Sequence, residues 1–433
     1  MDKLNKLAQE ILAEAKTQGA DYAQCSVIEE EKKEFNVDGG RFSLMRTLFN
    51  RTVVITVLKD QRKGTVSINR FDSDAVKTAV KDAIAAAESG QPDDAWQFED
   101  KPVETEYTEG APECDTDKLF VRTKELLETI REKHPTIMME QMITVHTSWK
   151  IVYMTSNNVI YRSTSGNYHF DLMYSAHEGE KGTSFFGSGV TLKDLDKPVI
   201  ECGFIERDLA SIEQQLEPKA LEGKFTGTVV MAPYALSGVV LSTIMFNFVS
   251  DMCLINGTSI WKDKLGEQVA DPRLTISFEP YSDDVVVRDR HTGEGYPTEN
   301  FDLIKDGRLN SFCLSQYGAN KTGQKRSGNS GNNIRIKAGE KTLEEIIAGI
   351  DKGLLVMRFS GGEPAASGEF SGVAKNSFYI ENGKIAYALT ETMISGNAAE
   401  MLMNIKEISK DTLNDGEVSV PYIAFEGVTI SGK

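Results

Sequence analysis

A His-Glu pair in the stretch "SAHEGEKGTS" is the first feature that suggests chemistry. His177-Glu178 would open a zinc-protease motif if a second His followed four residues later on a helix, so that both rings shared one face. Lys181 occupies that position, and His169 lies eight residues upstream, roughly 26 Å away along a strand. The spacing therefore favours an exposed histidine at the tip of a β-hairpin over a metal ligand.

Other catalytic signatures are also missing or incomplete. The sequence has no G-x-S-x-G nucleophile elbow. The stretch "GQKRSGNS" (323–330) has the glycine spacing of a phosphate loop, but Asn329 stands where Lys is required. No two cysteines form a C-x-x-C pair, which disfavours a zinc knuckle and suits a reducing compartment. The five scattered cysteines are Cys25, Cys114, Cys202, Cys253 and Cys313.

The composition indicates an acidic globular protein of the cytoplasm. Lys and Arg number 48 and Asp and Glu 65, which gives 48 − 65 = −17. A surface this acidic repels phosphate backbones, so we expect no nucleic-acid partner. The N-terminal segment predicts an amphipathic helix and lacks a signal-peptide apolar block. The longest apolar run, around 235–249, is too short to span a bilayer, so no membrane partner is expected.

The order of predicted elements indicates an α+β fold with an internal duplication. Helix, several strands and helix occur over 1–90 and again over 113–216, separated by a polar segment, 91–112, that is typical of a linker. Lys63-Gly64-Thr65 aligns with Lys181-Gly182-Thr183 on matching hairpins. We predict an N-terminal α+β domain over 1–218 that contains both units.

The remaining chain, 219–433, predicts a β-rich C-terminal domain. "GTVVMAP" is typical of a strand, and "YALSGVVLSTIMFNFVSDM" predicts a helix that is apolar nearly all round and therefore buried. Many short strands follow, "DVVVRD" and "NFDLIKDGRLNSFCLSQYGA" among them. Thr342 with Glu345 predicts a capping box at the start of a short helix.

The stretch "SGGEPAASGEFSG" (360–372) is rich in small residues and has two interpretations. It is either a plain surface connection or a loop that lines a groove for a peptide or a partner protein. The candidate residues of this loop are Gly361, Gly362, Glu363, Ser367 and Gly368.

Three C-terminal stretches carry a family resemblance. "DKLGEQVADPRLTISFEP", "NFDLIKDGRLNSFCLSQYGANKTG" and "SFYIENGKIAYALTETMISGNAAEMLMNIKEISKD" resemble the TldD/PmbA family, also known as modulators of DNA gyrase. The resemblance implies an N-terminal α+β domain and a β-rich C-terminal one. It also implies one of two subunit types. TldD-type chains look like zinc proteases with His-Glu-x-x-x-His on a helix and a Cys near the C-terminus, whereas PmbA-type (TldE) chains lack that motif.

The chain matches the PmbA type at the motif itself. The stretch that resembles the metal helix is "GVVLSTIMFN" (238–247), with Ser242 and Thr243 at the His-Glu positions and Asn247 at the second His. Cys313 is the last cysteine, so no C-terminal thiol follows. Neutral Ser, Thr and Asn are poor zinc ligands, and Thr cannot act as a general base near neutral pH. The alternative for these three residues is a buried helix whose polar groups are satisfied internally.

The resemblance thus implies a subunit with no catalytic residues and no metal of its own. Zinc is expected in a TldD-type partner, with which this chain would form a peptide-processing protease, although a homodimer stays open. Peptides would bind extended, by addition to a sheet edge. Two alternatives remain: an independent metallopeptidase with other ligands, and a regulatory protein that binds DNA gyrase.

Overall fold

The computed structural model describes residues 1–362 and 364–432. The first half consists of a β-sheet with four helices. Its elements in chain order are α1 (Asp2–Thr17), β1 (Tyr22–Asp38), β2 (Arg41–Lys59), β3 (Arg62–Ile68), α2 (Ser73–Ser89), β4 (Val103–Gly110), α3 (Thr116–Lys133), β5 (Ile137–Thr155), β6 (Val159–Glu178), β7 (Lys181–Gly182), β8 (Phe186–Leu192), a 3-10 turn (Val199–Glu201) and α4 (Ile205–Glu213).

Long antiparallel strands form the centre of this sheet. The strand order is β3-β2-β1-β5-β6-β4, and β7 and β8 also pair with β6. Side chains alternate along a strand, so Val27 and Val37 of β1 point to the same face. Val27 packs in the cluster that contains α1 and α2, whereas Val37 packs in the cluster that contains α3 and α4. The two helix pairs therefore occupy different ends of one sheet face.

A larger sheet dominates the second half. Its elements are β9 (Lys224–Met231), α5 (Pro233–Leu236), α6 (Asp251–Ile255), β10 (Ile276–Phe278), β11 (Phe301–Lys305), β12 (Arg308–Leu309), α7 (Gln316–Thr322), β13 (Ile334–Ile336), α8 (Leu343–Ala348), β14 (Lys352–Val356), β15 (Arg358–Gly361), β16 (Glu369–Lys375), β17 (Phe378–Glu381), β18 (Lys384–Ala388), β19 (Thr392–Asn397), α9 (Ala398–Met403), β20 (Ile405–Asn414) and β21 (Ser419–Ser431). These 13 strands share one sheet, in which β21 pairs with β9, β13, β19 and β20. The predicted α+β class and the β-rich second half are confirmed.

Local predictions are confirmed where side-chain chemistry decides the structure. Thr342 and Glu345 form the capping box that begins α8. The structure shows a similar local contact at α2, where the Asp72 side chain accepts a hydrogen bond from the backbone N–H of Ala75. These contacts lie within one turn of chain, so neighbouring residues suffice to specify them.

The linker predicted over 91–112 is wrong in its second half. β4 pairs in parallel with β6, from Val103 opposite Val159 to Gly110 opposite Gly166. In this strand, only Val103 and Tyr107 pack on a small hydrophobic cluster, which consists of Tyr153, Val159 and Tyr161. A strand at the edge of a sheet with one solvated face has a mostly polar sequence, and its partner lies far away in the chain.

Two further predictions of strands are wrong. "DVVVRD" forms no strand. Val285 and Val286 are buried, but this stretch does not pair with a neighbouring strand in a hydrogen-bonded ladder. "SQYGA" begins α7, where the Ser315 side chain accepts a hydrogen bond from the N–H of Gly318.

The two hairpins that carry the Lys-Gly-Thr triplets differ by one residue. Lys59 pairs with Arg62, which leaves a two-residue turn, and Glu178 pairs with Lys181 around another two-residue turn. Counted from the turn, Glu178 and not His177 corresponds to Lys59. The duplication of 1–90 and 113–216 and the boundary at 218 stay predictions, which a superposition of the two units would test.

Candidate functional site

The segment predicted to contain the degenerate zinc motif is a helix with unusual hydrogen bonding. α5 begins at Pro233 and continues as two π-helical stretches, Ser237–Leu241 and Ile244–Phe248. We call the continuous segment 233–248 the motif helix. The π-helix uses i→i+5 hydrogen bonds and is frequently found at functional sites. Val249 ends the segment, so the longer helix predicted through residue 252 is wrong, and α6 is a separate element.

The hydroxyl groups at the predicted His-Glu positions are both used inside this helix. Ser242 Oγ donates to the carbonyl oxygen of Gly238 at 2.9 Å, and Thr243 Oγ1 donates to that of Val239 at 2.5 Å. Thr243 is buried, whereas Ser242 is half-buried. These back-bonds to carbonyls one turn earlier are an ordinary way for Ser and Thr to be satisfied in a helix.

Asn247, at the predicted second His position, connects the motif helix to the loop. Its Nδ2 donates to the carbonyl oxygens of Pro364 at 3.1 Å and Ala365 at 3.3 Å. The structure thus brings together the degenerate motif and the loop after β15. These two sets of candidate residues lie far apart in the sequence.

Gly368 fixes the far end of that loop. Its φ of +91° is a conformation that residues with a side chain rarely adopt. A Cβ at this position would also lie 2.9 Å from the ring of Phe248. Asn397 supports the same turn, because its Nδ2 donates to the carbonyl oxygen of Ser367 at 3.0 Å. The second half of the loop is therefore held against the end of the motif helix.

The other candidate residues of the loop differ in their surroundings. Gly361 ends β15, and a Cβ there would come within 2.7 Å of the Phe359 ring. Gly362 has open space where a Cβ would stand. The Ser367 hydroxyl donates to Glu369 at 3.4 Å. Glu363 lies outside the described residues.

Two exposed apolar side chains near the motif were missed by the sequence analysis. Phe246, immediately before Asn247, is 73% exposed, and Met252 in α6 is 69% exposed. The expectation of a helix buried all round is therefore wrong at Phe246. Phe246 could not be distinguished within the apolar run. The exposure of one side chain among buried neighbours depends on what packs on the helix.

The histidines are dispersed and serve local contacts. His177 is exposed at the end of β6 and its Nε2 lies 2.9 Å from Ser175 Oγ. The other four lie beside different partners: His134 beside Glu213, His146 beside the Ala111 carbonyl, His169 beside Thr191 and His291 beside the Thr292 carbonyl. Over residues 1–362 and 364–432, no group of three His, Cys, Asp or Glu side chains is placed to hold a metal ion.

A buried carboxyl group connects the first half of the chain to the motif helix. Asp208 of α4 is fully buried, and its Oδ2 accepts hydrogen bonds from Ser188 at 2.8 Å and from Tyr234 of α5 at 3.3 Å. Burial raises the pKa of Asp208 to about 7, against the opposing effect of these hydrogen bonds. We call Asp208, Ser188 and Tyr234 the Asp208 cluster.

Comparison with known proteins identifies the family. A profile described as PmbA/TldA metallopeptidase C-terminal domain matches residues 223–432, and one described as PmbA/TldA metallopeptidase domain 1 matches residues 23–87. The chain belongs to the PmbA/TldD family. The predicted family is confirmed, and the matched C-terminal domain contains the motif helix and the loop.

Relatives of similar length support this assignment. Metalloprotease PmbA of Escherichia coli is 26% identical over 456 aligned residues, which cover 98% of this chain and 94% of the relative. The metalloprotease PmbA homolog of Haemophilus influenzae is 24% identical, over 88% and 85% of the two chains. The crystal structure of TldE from Thermococcus kodakarensis shares the fold, with a TM-score of 0.86 at 22% identity over 98% of this chain and 100% of that one.

The PmbA/TldD family is described as metallopeptidases, but the residues at the motif positions do not suit a metal. The hydroxyl groups of Ser242 and Thr243 donate hydrogen bonds to carbonyl oxygens of the helix. The side-chain amide of Asn247 donates a hydrogen bond to the loop. None of the three supplies the imidazole, thiolate or carboxylate that zinc prefers.

Among the described residues, none of the helices combines the length and apolar character needed to cross a membrane.

Proposed function

We propose that this chain is a PmbA/TldE-type subunit without catalytic residues, which acts with a TldD-type zinc subunit in a peptide-processing protease of the cytoplasm. In this proposal the zinc and the general base belong to the TldD-type subunit. This chain contributes structural support and part of the surface over which a peptide passes.

The observation that carries the proposal is the contact between Asn247 and the loop. In the proposal, the TldD-type subunit has a metal-binding His at the position that corresponds to Asn247. Here the Asn247 amide instead donates two hydrogen bonds to Pro364 and Ala365. These hydrogen bonds support a structural role for Asn247, in place of the metal-binding role that the proposal assigns to the TldD-type subunit.

The surface around this contact suits a protein or peptide partner. Phe246 and Met252 are among the most exposed apolar side chains of the second half. Exposed aromatic and Met side chains are enriched at interfaces, because they bury a large apolar area on association. We propose that Phe246 contacts the TldD-type subunit or the peptide that the complex holds.

A peptide-cleavage assay with purified components tests the proposal. We expect no cleavage by this chain alone, and cleavage by a mixture with a TldD-type subunit that exceeds cleavage by that subunit alone. Metal analysis should find far less than one zinc per chain after purification without chelator or a His-tag. Chelator-sensitive cleavage by the lone chain would show that it is an independent metallopeptidase instead.

A pair of variants tests the proposed surface. Phe246→Glu should abolish most of the gain in activity on mixing, because it places a charge in an apolar contact. Ile385→Glu, on β18 at the end of the sheet order, is the control for an added exposed charge, since Ile385 is 39% exposed. Equal gains with both variants would argue against a role for Phe246.

A further inference from the structure

Two cations face each other where β15 begins. Arg358 of β15 lies directly opposite Lys375 of β16, and opposite residues of an antiparallel pair have their side chains on the same face of the sheet. Like charges in this arrangement are destabilising. Lys375 Nζ lies 3.2 Å from Glu391 Oε1, but the Glu391 side chain is 71% exposed, so this ion pair contributes little. The positive charge at this position is therefore only partly neutralised.

Arg358 carries the charge that is not neutralised. Its Nε is shielded from solvent and donates no hydrogen bond within residues 1–362 and 364–432. Burial lowers the pKa of Arg358, and no carboxylate of the described chain opposes that effect. A guanidinium that loses water without gaining a hydrogen-bond partner is unfavourable, and a bound anion removes that cost. The surroundings of Arg358 therefore favour an anion-binding site.

An aromatic side chain from the first half of the chain contacts this guanidinium. Arg358 Cζ lies 4.8 Å from the centre of the Phe185 ring, which is a cation–π contact. Phe185 immediately precedes β8 and is 52% exposed. The ring limits the movement of the guanidinium, and its exposed part offers an apolar surface to whatever is attached to the anion.

The two cations lie close to the start of the motif helix. Val356, the last residue of β14, accepts a hydrogen bond at 2.9 Å from the N–H of Ala232, which directly precedes that helix. Arg358 follows two residues later, and the loop that Asn247 holds follows the other end of β15. Arg358 and Gly361, at the two ends of β15, are about 10 Å apart along an extended strand. A peptide of a few residues can therefore span the loop and the two cations.

The outer face of β15, β16 and β19 offers a surface for such a peptide. Phe359 packs edge to face on Phe370, on the core side of the sheet. Arg358 and Ser360 alternate with Phe359 along β15 and therefore point outward. Ser360 is exposed, and Met393 of β19 is 43% exposed. Polar and apolar side chains share this face, which suits a peptide of mixed composition.

We infer that Arg358 and Lys375 bind a carboxylate group of the peptide that the complex processes. This inference rests on the proposed function and adds the chemical group that this chain recognises. A guanidinium binds a carboxylate through two parallel hydrogen bonds, a geometry that an ammonium group does not offer. Lys375 adds a second positive charge, and exchanging Glu391 for the ligand costs little because that ion pair is exposed. The carboxylate belongs either to the C-terminus of the peptide or to an acidic side chain.

Peptide binding to the full chain alone tests the inference. The probe is an N-acetylated octapeptide of Gly, Ser, Ala and Leu that ends in Leu, prepared with a free C-terminal carboxylate and as the C-terminal amide. A third peptide is the same amide with Glu in place of the last Leu. Isothermal titration calorimetry in a carboxylate-free buffer should give a Kd roughly tenfold lower for a carboxylate peptide than for the uncharged amide.

The two carboxylate peptides distinguish the source of the ligand. Tighter binding of the free C-terminus identifies the end of the peptide, and tighter binding of the Glu amide identifies an acidic side chain. Arg358→Gln should remove the preference, so that the carboxylate peptide binds no better than the uncharged amide. Lys375→Gln should remove part of it.

Arg326→Gln is the matched control. Arg326 is also partly buried and lies over an aromatic ring, that of Tyr296, at 4.4 Å, but its Nη1 already donates to the carbonyl oxygen of Ser327. This variant should keep the preference of the wild type, and thermal unfolding should confirm that every variant folds.

Three results would overturn the inference: no binding of any peptide, equal Kd values for all three peptides, or a preference that survives Arg358→Gln. These results are separate from the test of the proposed function, because no zinc subunit is present. The gain in cleavage on mixing with a TldD-type subunit can fail while the carboxylate preference holds, and it can persist where the preference is absent.

Discussion

The hydroxyl of Tyr234 donates to Oδ2 of Asp208 at 3.3 Å, and this hydrogen bond joins the first turn of the motif helix to α4. Because Ser188 of β8 binds the same oxygen, the Asp208 cluster fixes the start of the motif helix against the N-terminal sheet. The contact between the two halves therefore includes a group that titrates.

The Asp208 cluster predicts a stability that falls as pH rises. Desolvation raises the pKa of Asp208 to about 7 from 3.8, so between those values the folded chain keeps a proton that the unfolded chain has lost. The free energy of unfolding should therefore decrease from about pH 4 to about pH 7, by up to roughly 1.4 kcal/mol per pH unit from this group. Asp208→Asn should remove that part of the slope. Urea unfolding at several pH values measures it.

Asp82→Asn is the control, because Asp82 lies exposed on α2. This variant should keep the slope of the wild type. An Asp208→Asn variant with the same slope as the wild type would show that the carboxyl is ionised in the folded chain.

Asn247→Ala should loosen the loop without unfolding the helix. The variant loses both hydrogen bonds to Pro364 and Ala365, so its free energy of unfolding should be about 1 kcal/mol lower than that of the wild type. Hydrogen exchange should speed up at the backbone N–H groups of Ala365 and Gly368, which the turn protects. Ser242→Ala removes only a bond within the helix and should leave loop exchange unchanged. Equal exchange in both variants would mean that Asn247 does not hold the loop.

Gly368→Ala should destabilise the chain by roughly 1–3 kcal/mol, because its φ of +91° strains a residue with a Cβ and because the Cβ would meet Phe248. Gly362→Ala is the matched control in the same loop, since no atom lies within 4 Å of its Cβ position. Chemical denaturation of both variants measures the difference. Similar midpoints for the two would contradict the packing of Gly368 against the motif helix.

Restoring the visible motif should not create a protease. In the triple variant Ser242→His, Thr243→Glu and Asn247→His, the new carboxylate enters a position that is 1% exposed, which should cost several kcal/mol. The loop would also lose its contact with Asn247, and no cysteine follows Cys313 to complete three protein ligands. Zinc analysis and a peptide-cleavage assay should find neither stoichiometric metal nor activity. Chelator-sensitive turnover would show that a third ligand is already present.

The sequence alone was sufficient for features that nearby residues decide. The amphipathic α1, the capping box at Thr342 and the α+β class follow from periodicity and from contacts within a turn. The family followed from three long C-terminal stretches. The placement of Ser242, Thr243 and Asn247 at the His-Glu-x-x-x-His positions also came from residue type and spacing, and it stays a prediction.

Only the tertiary structure decided which distant residues meet. Asn247 and Pro364 are 117 residues apart in the sequence, and neither residue type predicts contact with the other. Asp208 stands among charged neighbours in "IERDLASIE", a pattern typical of a solvated helix face, yet β8 and Tyr234 cover it completely. The apolar helix exposes Phe246 and β2 leaves Met45 and Phe49 uncovered for the same reason. Burial is set by what packs on a surface, and local sequence determines only which surface an element offers.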